Sequence, residues 1–245
     1  MKLLVIAAGY ATRLYPLTLD QPKALLPVGG LPMLDRVLGS LASVQPDEIY
    51  VVTNSKFAPH FRRWAAERPS GQPEVTVVDD GTASEADKLG AIGDIAFVLD
   101  HERVDDDLVV VAGDNLFSDD LAGFGAFCRE RDAPVVGVHD VGDLEQMSKY
   151  NVIEIDEEGR ITYFEEKPRQ ATSTLTGIAL YFYPRHVLPL IRRYVAEGNN
   201  PDQPGRLVQW LYPRTDVFTW RVPGDWYDIG SEETLRRADL EFSRS

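Results

Sequence analysis

The sequence predicts an α/β fold: a doubly wound, mostly parallel sheet to which the second half of the chain adds a β-rich lobe. Three observations carry this expectation. Short continuous apolar runs recur at residues 3–8, 49–52, 75–78, 108–112 and 135–138, as strands covered on both faces require. Helical periodicity lies between those runs. After about residue 140 the pattern changes to alternation typical of hairpin strands.

Each element has its own signal. The run at 3–8 follows Met1-Lys2 and gives way to Gly9-Tyr10-Ala11-Thr12-Arg13. It is too short for a secretory leader and is expected to be a buried first strand. Met33, Leu34, Val37, Leu38, Leu41 and Ala42 trace one apolar stripe of a helix. Further helices are expected over 58–67, 85–99 and 118–131. Residues 151–155 and 161–164 alternate around Asp156-Glu157-Glu158-Gly159-Arg160, a hairpin signal. A strand over 175–183 precedes a helix through Val187, Leu188, Ile191 and Tyr194, and Asn199 to Gly205 read as a loop. Ser231 is a good N-cap, with Glu232 and Glu233 in a favourable first turn. With no linker, repeat or break in composition, residues 1–245 are expected to form one domain, with halves at about 1–135 and 136–245.

Composition narrows the function. Of 245 residues, 39 are Asp or Glu and 25 Lys or Arg, a net charge of −14 that argues against nucleic-acid binding. A polyanionic ligand would have to be held locally, by a few placed cations or a metal. The single cysteine, Cys128, excludes an internal disulfide and suits a reduced, cytoplasmic setting. No apolar run approaches the ~18 residues of a membrane span. The four histidines are scattered without zinc-ligand spacing.

The chemistry-bearing stretch is Ala7-Ala8-Gly9-Tyr10-Ala11-Thr12-Arg13-Leu14-Tyr15-Pro16-Leu17-Thr18, followed by Gln21-Pro22-Lys23. A strand here feeds a loop of small residues with a hydroxyl and two cations. Backbone N–H groups at the carboxyl end of a parallel strand can wrap an anion. Arg13 adds a planar fork suited to phosphate, and Lys23 a mobile point charge. The stretch is neither a dinucleotide fingerprint nor a Walker loop.

Taken whole, it resembles the signature of the sugar-1-phosphate nucleotidyltransferases, which include the glucose-1-phosphate thymidylyl- and uridylyltransferases. Ala11 stands where that family usually has a second glycine. Three more segments agree, in the family's order: Ala112-Gly113-Asp114-Asn115, Phe164-Glu165-Glu166-Lys167-Pro168 with Thr176-Gly177 following, and Gly224-Asp225-Trp226-Tyr227-Asp228-Ile229-Gly230. The resemblance implies a Rossmann-like sheet with a sugar-binding lobe, and Asp114 and Asp228 as Mg²⁺ ligands. It implies a nucleotide site at Ala8, Gly9, Tyr10, Ala11, Thr12 and Arg13, with Arg13 and Lys23 catalytic. It also implies contacts of Glu166 with sugar hydroxyls and of Lys167 with the sugar phosphate, the substrates being a nucleoside triphosphate and a sugar-1-phosphate.

Specificity is less constrained. Asp80 and Gly81 sit where the family's base-reading loop falls, without its usual glutamine, and the base is open among all five. Tyr150-Asn151 stands where the thymidylyltransferases commonly have Tyr-Gly. With Thr176 these two complete the expected substrate site, and Asn151 leaves room for other acceptors such as a cyclitol phosphate or phosphocholine. A cytidylyltransferase of that kind and a non-catalytic sugar-nucleotide binder are the alternatives. Asp105-Asp106-Asp107 offers a superficial glycosyltransferase metal motif, but it precedes its apolar strand and reads as a solvated turn. The chain stops soon after its last helical stretch, short of the β-helix that some relatives append, so a monofunctional enzyme is expected. Oligomeric state is not encoded in any motif.

Overall fold

The computed structural model describes residues 1–244. In chain order the strands and helices are β1 (Lys2–Ile6), β2 (Pro27–Val28), β3 (Leu31–Pro32), α1 (Met33–Ser40), β4 (Glu48–Thr53), α2 (Ala58–Ala66) and β5 (Val75–Asp79). Then come α3 (Ala91–His101), β6 (Leu108–Ala112), β7 (Asn115–Phe117), α4 (Ala122–Arg131), β8 (Val135–Asp140), β9 (Asn151–Ile155) and β10 (Ile161–Glu166). The chain continues through β11 (Leu175–Tyr183), α5 (Leu188–Ala196), α6 (Pro204–Leu211), β12 (Phe218–Arg221), β13 (Trp226–Asp228) and α7 (Glu232–Phe242). A seven-stranded, mostly parallel sheet has the order β12-β8-β11-β6-β1-β4-β5, the mixed α/β architecture expected.

Two compact units emerge, interleaved in sequence rather than divided near residue 135. The first holds Met1–Leu89, Val111–Gly123 and the segment from Pro223 onward. In it β1, β4 and β5 run parallel, from Lys2↔Glu48 to Ile6↔Val52 and from Ile49↔Val75 to Thr53↔Asp79. Leu3, Leu4, Val5, Val51 and Val52 are fully or almost fully buried, as the continuous apolar runs demand. β7 pairs antiparallel with β13. α7 starts at a capping box in which Ser231 Oγ accepts from Thr234 N and Thr234 Oγ1 accepts from Ser231 N.

The second unit holds Gly90–Val110 and Phe124–Val222. β11 pairs antiparallel with β8, which β12 joins in parallel, and β9–β10 form the expected hairpin.

Several boundaries move. The helix expected over 85–99 begins only at Ala91, because residues 83–87 close a turn on Asp87. Its carboxylate accepts from the Ser84 hydroxyl, from Ala83 N (3.1 Å) and from Ser84 N (2.7 Å), and these donors, the hydroxyl foremost, bring its pKa down to about 2. Gly90, at φ +79°, then turns the chain into α3. The helix expected from 118 starts at Ala122, since Ser118 is tied to Asp225 through backbone and hydroxyl (3.0 and 2.8 Å). The 199–205 loop ends two residues early. Pro204 and Gly205 open α6, whose Leu207, Val208 and Leu211 are buried, because proline fits a first helical turn. Asp105 and Asp107 do form a turn, held by Arg185: its guanidinium donates to Asp105 (2.7 and 2.5 Å) and its backbone N–H to Asp107. No helix among the described residues is long and apolar enough to cross a membrane.

Candidate active site

In the first unit, five segments meet around the loop that follows β1. Ala7 N still bonds Val52 O, and the buried Asn54 then takes over. Its Nδ2 donates to Ala8 O (2.8 Å) while its Oδ1 accepts from Phe57 N (3.1 Å). Gly9 is exposed and a Cβ there would meet nothing within 4 Å, so the protein itself does not demand a glycine. Tyr10 is buried. Ala11 adopts the left-handed region at φ 50°, ψ 42°, a conformation that favours glycine. It is held there by Thr18 Oγ1, which donates to Ala11 O at 2.8 Å. Thr12 and Arg13 follow in a single 3₁₀ turn with exposed side chains.

Asp114 enters just after β6. Gly113 N donates to Ile6 O (2.9 Å), and a Cβ at Gly113 would crowd Ala24 and Val5 at 3.2 Å, so the strand end packs closely against β1 here. Lys23 Nζ contacts Asp114 Oδ2 at 2.5 Å. Asp228 arrives on β13, in register with Asn115. Trp226 fixes that register by donating from Nε1 to Asn115 Oδ1 at 2.9 Å. Asp228 is open at its surface yet hemmed in by protein. Burial and then the Asp114 carboxylate raise its pKa, while Lys23 and Arg13 pull it back. Two mutually repelling carboxylates fit Mg²⁺, which takes one or two protein carboxylates and completes its shell with phosphate and water oxygens. Among the described residues no group of three or more His, Cys, Asp or Glu converges as a closed metal cage.

Asp80 lies just beyond β5 and is 7% exposed. Its Oδ1 accepts from Thr82 N and Thr82 Oγ1 (2.7 and 2.8 Å), while Oδ2 is buried without a partner. Burial raises the Tyr10 phenol, with the neighbouring Thr82 side chain opposing. Gly81 turns at φ +80° and donates to Asp79 Oδ1 (3.0 Å).

In the second unit, Lys167 N donates to Tyr150 O (2.9 Å), and Lys167 is exposed in the left-handed region at φ 53°. Asn151 and Thr176 are turned inward. Asn151 Nδ2 donates to Gly177 O (2.9 Å), and its Oδ1 accepts from Gly177 N (2.7 Å) and from Thr176 Oγ1 (3.2 Å). Glu166 is half-buried at the end of β10. Burial raises its carboxyl above the usual range, with Lys167 and Arg206 opposing.

The nucleotidyl transferase family profile matches residues 2–244. The chain belongs to the nucleotidyl transferase family. Among its relatives is a Sulfolobus acidocaldarius protein provisionally named a mannose-1-phosphate guanyltransferase, 30% identical over 98% of this chain and 62% of its own length. A glucose-1-phosphate thymidylyltransferase of Mycolicibacterium smegmatis is 30% identical over 78% of this chain and 64% of its own. The chain spans 51–62% of the length of the first three curated relatives it matches. A UDP-glucose pyrophosphorylase solved with UDP-glucose shares the fold at a TM-score of 0.84 and 22% identity, covering 99% of this chain and 98% of that one.

Within this site, sequence reasoning missed Asn54 and Thr82. Asn54 and Thr82 order the loops around Ala8 and Asp80 through the bonds given above. Neither carries a motif, and only the tertiary pairing of their strands reveals them.

Proposed function

We propose that this protein transfers a nucleotidyl group from a nucleoside triphosphate to a sugar-1-phosphate, giving an NDP-sugar and pyrophosphate. The observation that carries the reading is the gathering of Lys23, Asp114 and Asp228, with Arg13 close enough to act on Asp228, beside the loop that follows β1. An oxygen of the sugar phosphate attacks the α-phosphorus in line. The bond from that phosphorus to the α,β-bridging oxygen breaks, and pyrophosphate leaves with the electron pair. A phosphate anion is already a competent nucleophile, so the protein's part is positioning and charge neutralisation. Arg13 steadies charge passing to the leaving pyrophosphate, while Lys23 and Lys167 hold the two reacting phosphates. Asp114 and Asp228 hold Mg²⁺, which when bound supplies neutralising charge at the α-phosphate.

Residues 8–13, with Asp80 and Gly81, form the nucleotide site. The carboxylate of Asp80, an acceptor only, suits an amino or imino donor of the base. Tyr150 and Glu166 contact the sugar, and Asn151 and Thr176 shape that pocket from behind. A cytoplasmic place of action, where such substrates and a reduced Cys128 belong, is part of the same proposal.

The test is pyrophosphate release for five nucleoside triphosphates against a panel of hexose-1-phosphates, an inositol phosphate and phosphocholine, with Mg²⁺ and with chelator. Release confined to sugar phosphates and abolished by chelator is expected. No release with any pair would sink the enzyme reading, and release only with phosphocholine would move the acceptor outside the sugars.

A further inference from the structure

Glu166 is the carboxylate that the proposed function assigns to sugar hydroxyls, and the structure shows what surrounds it. β10 ends on Glu166, and the first turns of α6 lie against it. The Glu166 backbone N–H donates to Gln209 Oε1 at 3.2 Å. A Cβ built on Gly205, the second residue of α6, would land on Glu166 Oε2 and press on Phe164 Cζ at 3.2 Å. The carboxylate thus occupies the space a side chain at 205 would take.

Gly205 is buried, yet its backbone is ordinary helix with no positive φ. Glycine in a helix is normally a cost of about 0.5–1 kcal/mol relative to alanine. Neither backbone geometry nor helix propensity therefore accounts for a glycine here. What remains is room for the Glu166 carboxylate, the severest collision, and beside it the edge of the Phe164 ring.

Resting on the reading of Glu166 as a sugar-hydroxyl acceptor, we infer that Gly205 and Gln209 are positioning residues for the sugar site. Gly205 leaves the recess into which the Glu166 carboxylate withdraws, and Gln209 anchors the backbone from which it projects. Filling the recess drives the carboxylate off its perch, because it is the movable end of a flexible side chain. The fold is barely disturbed, but the acceptor oxygens no longer sit where the hydroxyls need them. A displacement of this size at a positioning group is enough to weaken binding severalfold.

The predicted signature separates positioning from structure. Gly205→Ala should leave Tm unchanged or slightly higher, through better helix propensity. It should raise KM for the sugar-1-phosphate about tenfold and leave KM for the nucleoside triphosphate within twofold. The effect should vanish when its target is gone: in a Glu166→Ala background the same substitution should change the sugar-phosphate KM by less than twofold. Gln209→Leu should raise that KM in the same direction by a smaller factor.

The double-mutant comparison decides the matter even if Gly205→Ala proves unstable. Restoration of Tm in Gly205→Ala/Glu166→Ala would show that the collision with Glu166 is the cause. An equal KM effect in both backgrounds, or none in the wild-type background, overturns the inference while leaving the proposed function standing. A Glu166→Ala enzyme with normal sugar-phosphate KM refutes the assigned role of Glu166 and the inference with it. A wild-type protein inactive on the whole panel removes the proposed function itself.

Discussion

Asn151→Ala should destabilise the second unit strongly, although residue 151 stands at the mouth of a short hairpin. Its side chain behaves as a one-residue extension of the ladder. Both polar groups of Gly177 and the hydroxyl of the fully buried Thr176 bond to it, the hydroxyl also reaching Gly177 O at 3.4 Å. Alanine strands Gly177 N and leaves the Thr176 hydroxyl and Gly177 O only that long contact with each other. A buried polar group left unpaired costs about 1–3 kcal/mol, and a water entering the space vacated by the amide recovers part of that. A net loss of about 1–3 kcal/mol follows. For a chain of this size that is a fall in Tm of about 2–12 °C. Urea titration followed by circular dichroism measures it, with an unchanged slope showing that the unfolded state is not the cause. Asn151→Asp should rescue little, since a carboxylate accepts from Gly177 N but cannot donate to Gly177 O. A loss below about 0.5 kcal/mol for the alanine variant would refute the extension argument.

Other outcomes follow from the same structure. Asp114→Asn should cut turnover by about a hundredfold or more with the circular dichroism spectrum intact, and activity within a few-fold of wild type would remove Asp114 from the metal site. Ala11→Gly should relieve a left-handed alanine that costs about 1–2 kcal/mol, less what glycine gains in unfolded-state entropy. A rise in Tm of about 1–4 °C is expected, and any fall counts against strain at that position. The raised carboxyl of Glu166 binds its proton more tightly in the folded state, so its charged form loses stability as pH rises through that pKa. Glu166→Gln should therefore be more stable than wild type at neutral pH, with the advantage fading as pH falls. The same carboxyl should set an acid limb in kcat/KM for the sugar phosphate above the ordinary glutamate value of about 4.3, and a limb unmoved in Glu166→Gln would assign it elsewhere.

The parallel sheet was legible because its strands are buried on both faces, so β1, β4, β6 and β8 appear as unbroken apolar runs. β7, β12 and β13 have only three or four residues each and present no period long enough to read. α6 was hidden by Pro204-Gly205, a pair that signals a turn unless a helix is already known to begin there. Lys23 and Asp114 were found through separate motifs, but their contact spans 91 residues and no spacing rule implies it. Asn151 was read as facing a ligand. Its amide is instead turned to Gly177, because a strand residue's facing is set by its partner and not by its own chemistry.

The interleaving of the two units has a consequence for synthesis at the ribosome. All of the second unit lies between residues 90 and 222, and the first still lacks β13 and α7 when that stretch has emerged. Domains usually complete in order from the N-terminus. Here the unit that begins the chain is the one that must wait. Arg13 and Lys23 leave the exit tunnel early and Asp228 late, so the acidic pair that gathers them is assembled only after the second unit has all its residues. Chains cut after residue 222 and held on the ribosome by an added linker long enough to clear the exit tunnel should therefore protect α5 and α6 from protease while leaving the loop after β1 open to cleavage.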